Sequence, residues 1–306
     1  MTTRVTRPRA AAAVAGPGES PIVAPLLGWF DVAARDLPWR RGVSAWAVLV
    51  SEVMLQQTPV SRVEPAYHAW LERWPTPAAL AADSPGEAVR MWAKLGYPSR
   101  ALRLHACATV IARDHAGRVP TDLDELLALP GIGAYTARAV QAFAYGMRAA
   151  VVDTNIRRVL ARAVHGAGQA GPPSTTRDLT AMESVLPQQD ERAARFCAAI
   201  MELGALICTA ANPACATCPL AAHCAWRLAG SPPYDGPSQR SQRFNGTDRQ
   251  VRGKLMDVLR GSDEPVWSTS LDVVWPDAVQ RARALDSLVA DGLVDPLPDG
   301  RFALPS

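Results

Sequence analysis

Apolar residues recur at helical spacing along most of the chain, and Pro, Gly, Asn and Asp separate the segments that show this spacing. Ser20 and Pro21 have the features of a helix start, a capping residue followed by proline, and this helix is predicted to reach about Arg35. A long helix with few polar positions is predicted from about Ser44 to Gln57. Further helices are predicted over residues 63–73, 85–95, 99–115, 122–129, 134–145, 155–164, 175–186 and 191–206. Before position 290 no alternating, strand-like pattern is longer than a few residues, so the body of the chain is predicted to be all-α.

A stretch rich in Pro, Gly and Ser, residues 229–246, is predicted to be a linker. Beyond it the pattern predicts a helix around 251–259, a short helix over 270–274 and a third helix from Asp277 to Gly292. The residues after Gly292 suggest a small hairpin. This order predicts a small C-terminal domain, residues 247–306, that resembles a winged helix.

Residues 1–20 combine arginines with a short alanine run and a Gly-Pro pair. The alanine run is too short and too weakly apolar for a secretory signal, so a disordered tail on a cytoplasmic protein is predicted. No apolar run approaches the ~20 residues that cross a bilayer, and an integral membrane protein is therefore not expected. Six cysteines in 306 residues are also too few for a disulfide-stabilised scaffold.

The formal net charge of +3, from 32 basic and 29 acidic residues, conceals an asymmetry. Residues 247–306 contain 7 Arg or Lys and 10 Asp or Glu and are net −3, so residues 1–246 are net +6. The body is therefore the expected partner of a polyanion. The third C-terminal helix carries several aspartates, so packing or contact with a protein partner is expected there rather than readout of a DNA groove.

Four cysteines within seventeen residues follow the spacing C-x6-C-x2-C-x5-C: Cys208, Cys215, Cys218 and Cys224. Thiolates this close in sequence can bind one metal centre. Zinc sites usually have two short Cys pairs separated by a longer loop, whereas here one Cys-x-x-Cys pair is flanked by single cysteines. The spacing favours a cubane iron–sulfur cluster over the two alternatives, structural zinc and a disulfide pair.

Gly131 and Gly133, in the segment Leu129-Pro130-Gly131-Ile132-Gly133, lie between two predicted helices. Such a turn can present the unpaired amides at the start of the next helix to a phosphate. A Gly-x-Gly turn between helices is also common in proteins that bind no nucleic acid, so both interpretations stay open.

Two carboxylates are candidates for chemistry. Glu52 is the only ionisable residue between Gly42 and Ser61, and desolvation among apolar neighbours would raise its pKa, unless it faces solvent on a polar stripe with Ser51 and the glutamines. Asp153 precedes a helix and is suited to cap it. A protonated Glu and an ionised Asp are also the pair that cleavage of a glycosidic bond requires.

Taken together, these segments resemble the helix-hairpin-helix, iron–sulfur DNA glycosylase superfamily, and within it the adenine DNA glycosylases of the MutY type. The resemblance covers about residues 21–228. Its motifs are Leu37-Pro38-Trp39-Arg40, Ser51-Glu52-Val53-Met54-Leu55-Gln56-Gln57-Thr58, Leu95-Gly96-Tyr97, the glycine turn, Val152-Asp153-Thr154-Asn155 and the four-cysteine loop.

The resemblance implies two helical lobes around a cleft that receives an adenine flipped out of the duplex. One lobe would hold a 4Fe-4S cluster and combine residues 21–40 with 151–228, and the other would be a six-helix lobe over 41–150 with the helix-hairpin-helix. The implied activity is hydrolysis of the N-glycosidic bond of adenine mispaired with 8-oxoguanine or guanine in double-stranded DNA. A monomer associated with the nucleoid is expected.

The resemblance also implies roles for individual residues. Glu52 would protonate adenine N7 and Asp153 would stabilise the sugar cation, with Tyr135 and Asn155 supporting that aspartate. The adenine pocket would be lined by Trp39, Arg40, Leu55 and Glu202. The residues expected at the DNA are Gln56, Gln57, Tyr97, Gly131 and Gly133, and the cluster ligands would be Cys208, Cys215, Cys218 and Cys224.

Tyr135 bears on the reaction type, because in the endonuclease III branch the equivalent position is a lysine that forms a Schiff base and cuts the strand. Neither Lys94 nor Lys254 lies near this position in the sequence, so a glycosylase without strand cleavage is expected. Family members usually continue into a Nudix-like, β-rich domain that checks for 8-oxoguanine. In its place this chain has residues 247–306, whose deletion is expected to leave adenine excision largely intact.

Two alternatives remain at the level of the sequence. One is a thymine–guanine mismatch glycosylase of the same fold, against which only Gln56, Gln57 and the pocket residues argue. The other is a non-catalytic cluster protein that senses DNA or redox state, for which replacement of Glu52 would have no effect.

Overall fold

The computed structural model describes residues 18–236 and 244–306. The predicted disordered tail, residues 1–20, lies almost entirely outside the described residues, and so does the middle of the predicted linker, residues 229–246. Among the described residues the chain forms fifteen α-helices, two short 3-10 turns and three short strands. The predicted all-α body is confirmed, and no helix of the described part is long and apolar enough to cross a bilayer.

The helices are Val23–Ala33 (α1), Ala45–Leu55 (α2), Val60–Arg73 (α3), Pro77–Ala81 (α4), Pro85–Trp92 (α5), Ser99–Asp114 (α6), Leu123–Ala128 (α7), Ala134–Tyr145 (α8), Thr154–Ala163 (α9), Thr175–Glu183 (α10), Asp190–Leu206 (α11), Ala225–Leu228 (α12), Asp248–Arg260 (α13), Ser268–Asp272 (α14) and Ala278–Ala290 (α15). The 3-10 turns are Pro38–Arg40 and Cys215–Thr217, and the strands are Val266–Trp267 (β1), Asp295–Pro296 (β2) and Arg301–Ala303 (β3).

Most helix ends agree with the sequence pattern to within a few residues. The first helix begins at Val23 rather than at Ser20, because the Ser20 carbonyl accepts the Val23 amide in a preceding turn and no side chain caps the helix. Helix α2 ends at Leu55 rather than at Gln57, whose φ of +54° leaves the helical region. Helix α4 was not predicted, although Thr76 caps it and Pro77 opens it; at five residues it is too short to show a period.

The described residues divide into two compact units, one drawn from residues 18–41 and 138–236, the other from residues 42–137 and 244–306. In the first unit α11 packs against α1 and α9, and α9 also packs against α12. The shared core is apolar and includes Leu26, Ile156, Phe196 and Ile200.

The second unit has an aromatic core. The Trp70 ring meets the Trp74 ring edge-on at a centroid distance of 4.6 Å and the Trp92 ring at 5.5 Å. All three are buried, and the indole N–H of Trp46 donates to the Trp74 carbonyl oxygen at 3.1 Å. Around this core α6 packs against α4, α5 and α2.

The C-terminal segment has the predicted winged-helix order. Helix α13 packs against α15, and the strands form an antiparallel sheet in the order β1-β3-β2, with Phe302 opposite both Val266 and Pro296. Strand β1 was not predicted, because its two residues are too few to alternate.

Two boundaries differ from the sequence pattern. The compact units divide at Arg138, inside α8, whereas the sequence places a lobe boundary at residue 150, and the C-terminal segment groups with the second unit. The predicted lobes and the predicted C-terminal domain remain predictions. The second difference has a visible cause. The Arg90 guanidinium of α5 donates to the carbonyl oxygens of Arg260 and Ser262, and Gly86 lies directly against the backbone of Pro305.

Candidate active site

Glu52 lies in the most deeply buried helix of the second unit. Every residue from Trp46 to Met54 is buried, and Glu52 is only 6% exposed. Ser44 caps the helix by accepting the Ala47 amide at 3.2 Å, and the Ser51 hydroxyl donates back to the Val48 carbonyl oxygen at 2.7 Å. The alternative of a solvent-facing polar stripe is therefore excluded at both Ser51 and Glu52.

The exposed end of α2 carries the predicted DNA contacts. Leu55 and Gln56 are half-buried, and Gln57 is exposed with its positive φ. The Gln56 side-chain amide donates to the Thr136 hydroxyl at 3.4 Å, and thus joins this end of α2 to the first turn of α8 beside the half-buried Tyr135.

The glycine turn connects α7 to α8, as the sequence predicts. Gly131 has a φ of +75°, and a Cβ there would lie 2.6 Å from the Cβ of Arg103, so both backbone conformation and space demand glycine. Gly133 has open space around it and lies immediately before α8. The glycine turn therefore leads directly into a helix start, the position at which the sequence pattern allows a phosphate contact.

Tyr97 is 48% exposed at a turn between α5 and α6, and its φ of +47° is unusual for a residue with a side chain. The second unit holds four exposed non-glycine residues with positive φ, and Gln57 and Tyr97 are the two with long side chains; the others are Ala93 and Ala116. Backbone strain of this kind is concentrated at functional sites.

In the first unit Asp153 caps α9. Its Oδ1 accepts the Ile156 amide at 2.7 Å, and its Oδ2 accepts the Asn155 side-chain amide at 2.8 Å. The capping interpretation is confirmed, but Asn155 adds a partner that capping alone does not require. Burial raises the pKa of Asp153, while these hydrogen bonds and the charge of Arg158 act in the opposite direction.

Arg158 connects this pair to the cysteine loop. Its guanidinium donates to Asn155 Oδ1 at 2.7 Å, to the Gly204 carbonyl oxygen at 2.7 Å and to the Cys208 carbonyl oxygen at 2.7 Å. Asn155 also lies against Gly204, where an added Cβ would come within 2.7 Å of the Asn155 Cβ. Asp153 is thus held by a chain of contacts that reaches the backbone of the first cysteine.

Glu202 is 1% exposed, and both of its carboxylate oxygens accept hydrogen bonds from arginines. Arg35 donates to it from its backbone amide, Nε and Nη2 at 2.8–2.9 Å, and Arg40 donates from Nη2 at 3.0 Å. Burial by itself would raise the pKa of Glu202, but the hydrogen bonds from Arg35 and Arg40 outweigh it and lower the pKa to about 2. Trp39, in the adjacent 3-10 turn, is 8% exposed.

The four predicted cysteine ligands line a single cavity with an empty volume of about 300 Å³, together with Arg162 and Trp226. All four are free thiols, which rules out the disulfide alternative, and Arg162 donates to the Cys208 sulfur at 3.4 Å. Within the described residues no three His, Cys, Asp or Glu side chains converge on one ion position. Burial raises the pKa of Cys218 to about 11, so a metal centre bound there must displace the thiol proton. The all-sulfur donor set and the nearby cations fit an iron–sulfur cluster.

Within each unit, the structure brings several predicted residues together. In the first unit Asp153 contacts Asn155, Arg40 contacts Glu202, and the cysteines share a cavity; in the second, Gln56 reaches the start of α8.

The sequence pattern did not identify three arginines that organise these sites: Arg35, Arg100 and Arg158. Arg158 follows Asn155 by three residues on one helix, a spacing that could have shown the contact. Arg35 and Arg100 bind groups distant in sequence, so no local signal marks them.

Comparison with known proteins identifies relatives of this chain. A sequence profile described as "HhH-GPD superfamily base excision DNA repair protein" matches residues 50–183. The adenine DNA glycosylase of Mycolicibacterium smegmatis is 62% identical over 281 residues, which is 91% of this chain and 94% of that protein. The adenine DNA glycosylase of Mycobacterium tuberculosis (strain CDC 1551 / Oshkosh) is 58% identical over 92% of both chains.

Among solved structures, a thermostable thymine-DNA glycosylase superposes with a TM-score of 0.61 at 27% identity, covering 68% of this chain and 95% of that one. The fold, the cysteine loop and the identity to full-length relatives agree. The chain belongs to the helix-hairpin-helix superfamily of base excision DNA repair proteins and, within it, to the adenine DNA glycosylase family.

Proposed function

We propose that this protein binds double-stranded DNA and removes adenine mispaired with 8-oxoguanine or guanine by hydrolysis of the N-glycosidic bond, without cutting the strand. One observation carries the proposal: Glu52 is buried in α2, while Gln57, in the turn that follows this helix, is exposed. A carboxyl group and a surface for the base stack are thereby provided by one helix and the turn at its end. Membership of the adenine DNA glycosylase family supports adenine as the base.

Glu52 supplies the proton in this reaction. Removal from water disfavours the charged form of a carboxyl group, so the burial of Glu52 suits a proton donor. Transfer of its proton to adenine N7 lets the bond between C1′ and N9 break, and the electron pair of that bond leaves with the neutral base. Glu202 is excluded from this role because Arg35 and Arg40 hold it as a carboxylate.

Asp153 faces the positive charge that develops on the sugar. Asn155 and the Ile156 amide each donate to one of its oxygens, which favours the ionised form and fixes its orientation. Water then adds to the C1′ cation and loses one proton, which restores the acid form of Glu52 and completes the hydrolysis. Tyr135 is assigned to the support of this aspartate, a role that includes no amine chemistry, consistent with a glycosylase that does not cut the strand.

The DNA contacts are assigned to three exposed features: the Gln56-Gln57 turn, Tyr97 and the helix start after Gly131 and Gly133. The first two would enter the base stack, since both carry side chains on exposed left-handed turns. The third would bind a backbone phosphate. The adenine pocket is assigned to Trp39, Arg40, Leu55 and Glu202. A single copy of the chain supplies all of these residues, and the substrate places the enzyme at the nucleoid in the cytoplasm.

A 4Fe-4S cluster is assigned to Cys208, Cys215, Cys218 and Cys224. Bound there, it would cross-link the loop that follows α11 and so fix the Cys208 carbonyl oxygen that Arg158 contacts. Analysis of purified protein for iron, acid-labile sulfide and zinc tests this assignment. Iron and sulfide in equal amounts support it, and stoichiometric zinc without sulfide contradicts it.

Base release from a panel of duplexes tests the function. Under single-turnover conditions, duplexes with A:8-oxoguanine, A:G, A:C, A:T and T:G pairs are compared, with strand cleavage scored before and after alkali. Release of adenine from the first two, with strand breaks only after alkali, is expected. Release of thymine from T:G but no adenine would instead favour a thymine glycosylase, the function carried by the name of the superposed structure.

A further inference from the structure

Arg100 makes an unusual set of hydrogen bonds in the second unit. From the first turn of α6 its Nη1 donates to the carbonyl oxygens of Val53, Met54 and Gln56 at 2.9, 3.2 and 2.6 Å. These belong to the last turn of α2 and the residue after it, where carbonyl groups have no partner within the helix. Arg100 thus closes the end of the helix that carries Glu52.

The other terminal nitrogen of the same guanidinium, Nη2, reaches the turn between α5 and α6 that holds Tyr97. Nη2 donates to the Gly96 carbonyl oxygen at 3.0 Å and to the Thr58 hydroxyl at 3.1 Å. The Thr58 hydroxyl in turn lies 3.2 Å from the carbonyl oxygens of both Gln56 and Leu95. The planar guanidinium and one hydroxyl therefore tie together the two turns that hold Gln57 and Tyr97.

Arg100 also contacts the Tyr97 ring, whose centroid is 5.7 Å from its Cζ, with the buried Trp92 ring at 5.2 Å. Both turns are left-handed, with φ of +54° at Gln57 and +47° at Tyr97. Non-glycine residues keep such backbone only where surrounding contacts impose it. The backbone acceptors of Arg100 include the carbonyl oxygens of Gln56 and Gly96, the residues immediately before the two positions with positive φ.

Arg100 is buried without an acidic partner. It is 6% exposed, none of its hydrogen bonds goes to a carboxylate, and its Nε has no partner among the described residues. Its position in the first turn of α6 opposes the dipole of that helix, whereas the contact of its guanidinium with the last carbonyl groups of α2 is favoured by the dipole of α2. Burial lowers the pKa of Arg100 to about 10, which still leaves the group charged at neutral pH. A buried charge that is satisfied by the backbone carbonyl groups of two turns is suited to holding those turns in place.

We propose that Arg100 is a positioning residue for DNA distortion: it holds the turns of Gln57 and Tyr97 at a fixed separation, so that both side chains enter the base stack together and the target nucleotide is extruded. The proposal rests on the proposed function, since it assumes that these two residues meet the DNA. It assigns to Arg100 no contact with DNA or substrate, because its side chain is buried beneath both turns.

The test uses the full-length protein with Arg100→Lys, which keeps the charge but cannot span both sets of carbonyl groups. Extrusion is followed by the fluorescence of 2-aminopurine placed at the target position, in a Glu52→Gln background that blocks chemistry. We expect a reduced fluorescence rise, and single-turnover excision about 10- to 100-fold slower when Glu52 is present. Arg73→Lys, an exposed ion-pair residue of the same unit, is the matched control and should change neither signal.

A coupling experiment separates positioning from a general loss of structure. If Arg100 acts through the two side chains, Arg100→Lys should cost less than about 2-fold in a protein that already carries Gln57→Ala and Tyr97→Ala. A cost that stays at its full size in that background contradicts the proposal, as does an undiminished fluorescence rise with Arg100→Lys alone.

If Arg100→Lys fails to fold, Thr58→Val provides the substitute test. It removes the hydroxyl that bridges the two turns at nearly constant side-chain volume, and it should also reduce extrusion of the target nucleotide. If the unaltered protein releases no adenine from any duplex, yet extrusion of 2-aminopurine depends on Arg100, the proposed function fails while the positioning role stands.

Discussion

The side-chain amide of Asn155 donates a hydrogen bond to Asp153 Oδ2 over 2.8 Å, and its own oxygen accepts one from Arg158. Asn155 therefore both orients Asp153 and favours its ionised form, against the burial that raises the pKa of this carboxyl group. In the proposed reaction, this balance bears on the acid limb of the pH–rate profile, where Asp153 must be ionised.

The first prediction concerns Asn155→Ala, which keeps the Cβ that packs against Gly204 and removes only the amide. Loss of this donor raises the pKa of Asp153 further, because desolvation is then opposed only by the backbone amides and by the charge of Arg158. Less of the carboxylate is then ionised at a given acidic pH, so the acid limb of the pH–rate profile should move to higher pH. The profile is measured under single-turnover conditions with Thr154→Ala as control. An unmoved acid limb would contradict the assigned link.

Glu52→Gln should preserve the fold and DNA binding while removing the proton donor. Gln has the same shape and is neutral, so the buried position tolerates it. Loss of a general acid slows a reaction by about 10²–10⁴-fold. Single-turnover excision and duplex affinity are measured together, with the exposed Glu72→Gln as control. Retained excision by the Glu52 variant would contradict the catalytic role of Glu52 and would favour a non-catalytic DNA sensor.

Glu202 is expected to contribute stability rather than a proton. Glu202→Gln leaves Arg35 and Arg40 without the carboxylate that they share, which should cost about 3 kcal/mol of unfolding free energy. Glu183→Gln, which breaks a surface pair with Arg148, should cost less than about 1 kcal/mol. Urea unfolding at neutral pH measures both differences.

The contacts of Glu202 with Arg35 and Arg40 also predict that the stability of the protein falls at acidic pH. The folded pKa of Glu202, about 2, lies below its ordinary value of 4.5, so its contribution is present above 4.5 and is lost as pH falls toward 2. The stability difference between the unaltered protein and Glu202→Gln should therefore shrink over this range. A difference that stays constant would mean that Glu202 is not held as a carboxylate.

The contacts of α5 with the C-terminal segment argue against the expectation that residues 247–306 are dispensable. A Cβ on Gly86 would lie 2.4 Å from the Pro305 carbonyl oxygen. Although alanine normally stabilises a helix relative to glycine, Gly86→Ala should destabilise the protein by about 1–3 kcal/mol through this overlap. Gly253→Ala, in α13 with open space around it, is the control.

Limited proteolysis should show whether that destabilisation loosens the segment itself. Faster cleavage of residues 247–306 in Gly86→Ala than in Gly253→Ala is expected. Equal cleavage rates would indicate that the segment is bound too weakly to matter, and a truncated protein would then be expected to excise adenine normally.

Several features of the fold follow from local sequence alone. The apolar period and the capping residues predict α2, α8, α9 and α15 to within two residues at most ends, because both signals act over a few residues. The four-cysteine spacing likewise predicts a shared cavity, since the loop is short enough that its ligands must lie close together.

Other features depend on contacts between residues distant in sequence. Whether Glu52 faces solvent or the core could not be decided from its helix, because a single carboxylate beside Ser51 and two glutamines fits either orientation. The arginine pair at Glu202 joins residues more than 160 positions apart. The contacts of the C-terminal segment with α5 join residues about 170 positions apart, so no local pattern predicts them.

The sequence by itself determined the helical architecture, the cysteine loop and the family resemblance, because period, capping and spacing are local properties. Only the tertiary structure decided that Glu52 is buried, that Asn155 and Arg158 hold Asp153, and that Arg100 joins the turns of Gln57 and Tyr97. The physical reason is that desolvation and hydrogen bonding are set by whichever groups the fold brings within about 3 Å, at any separation along the chain.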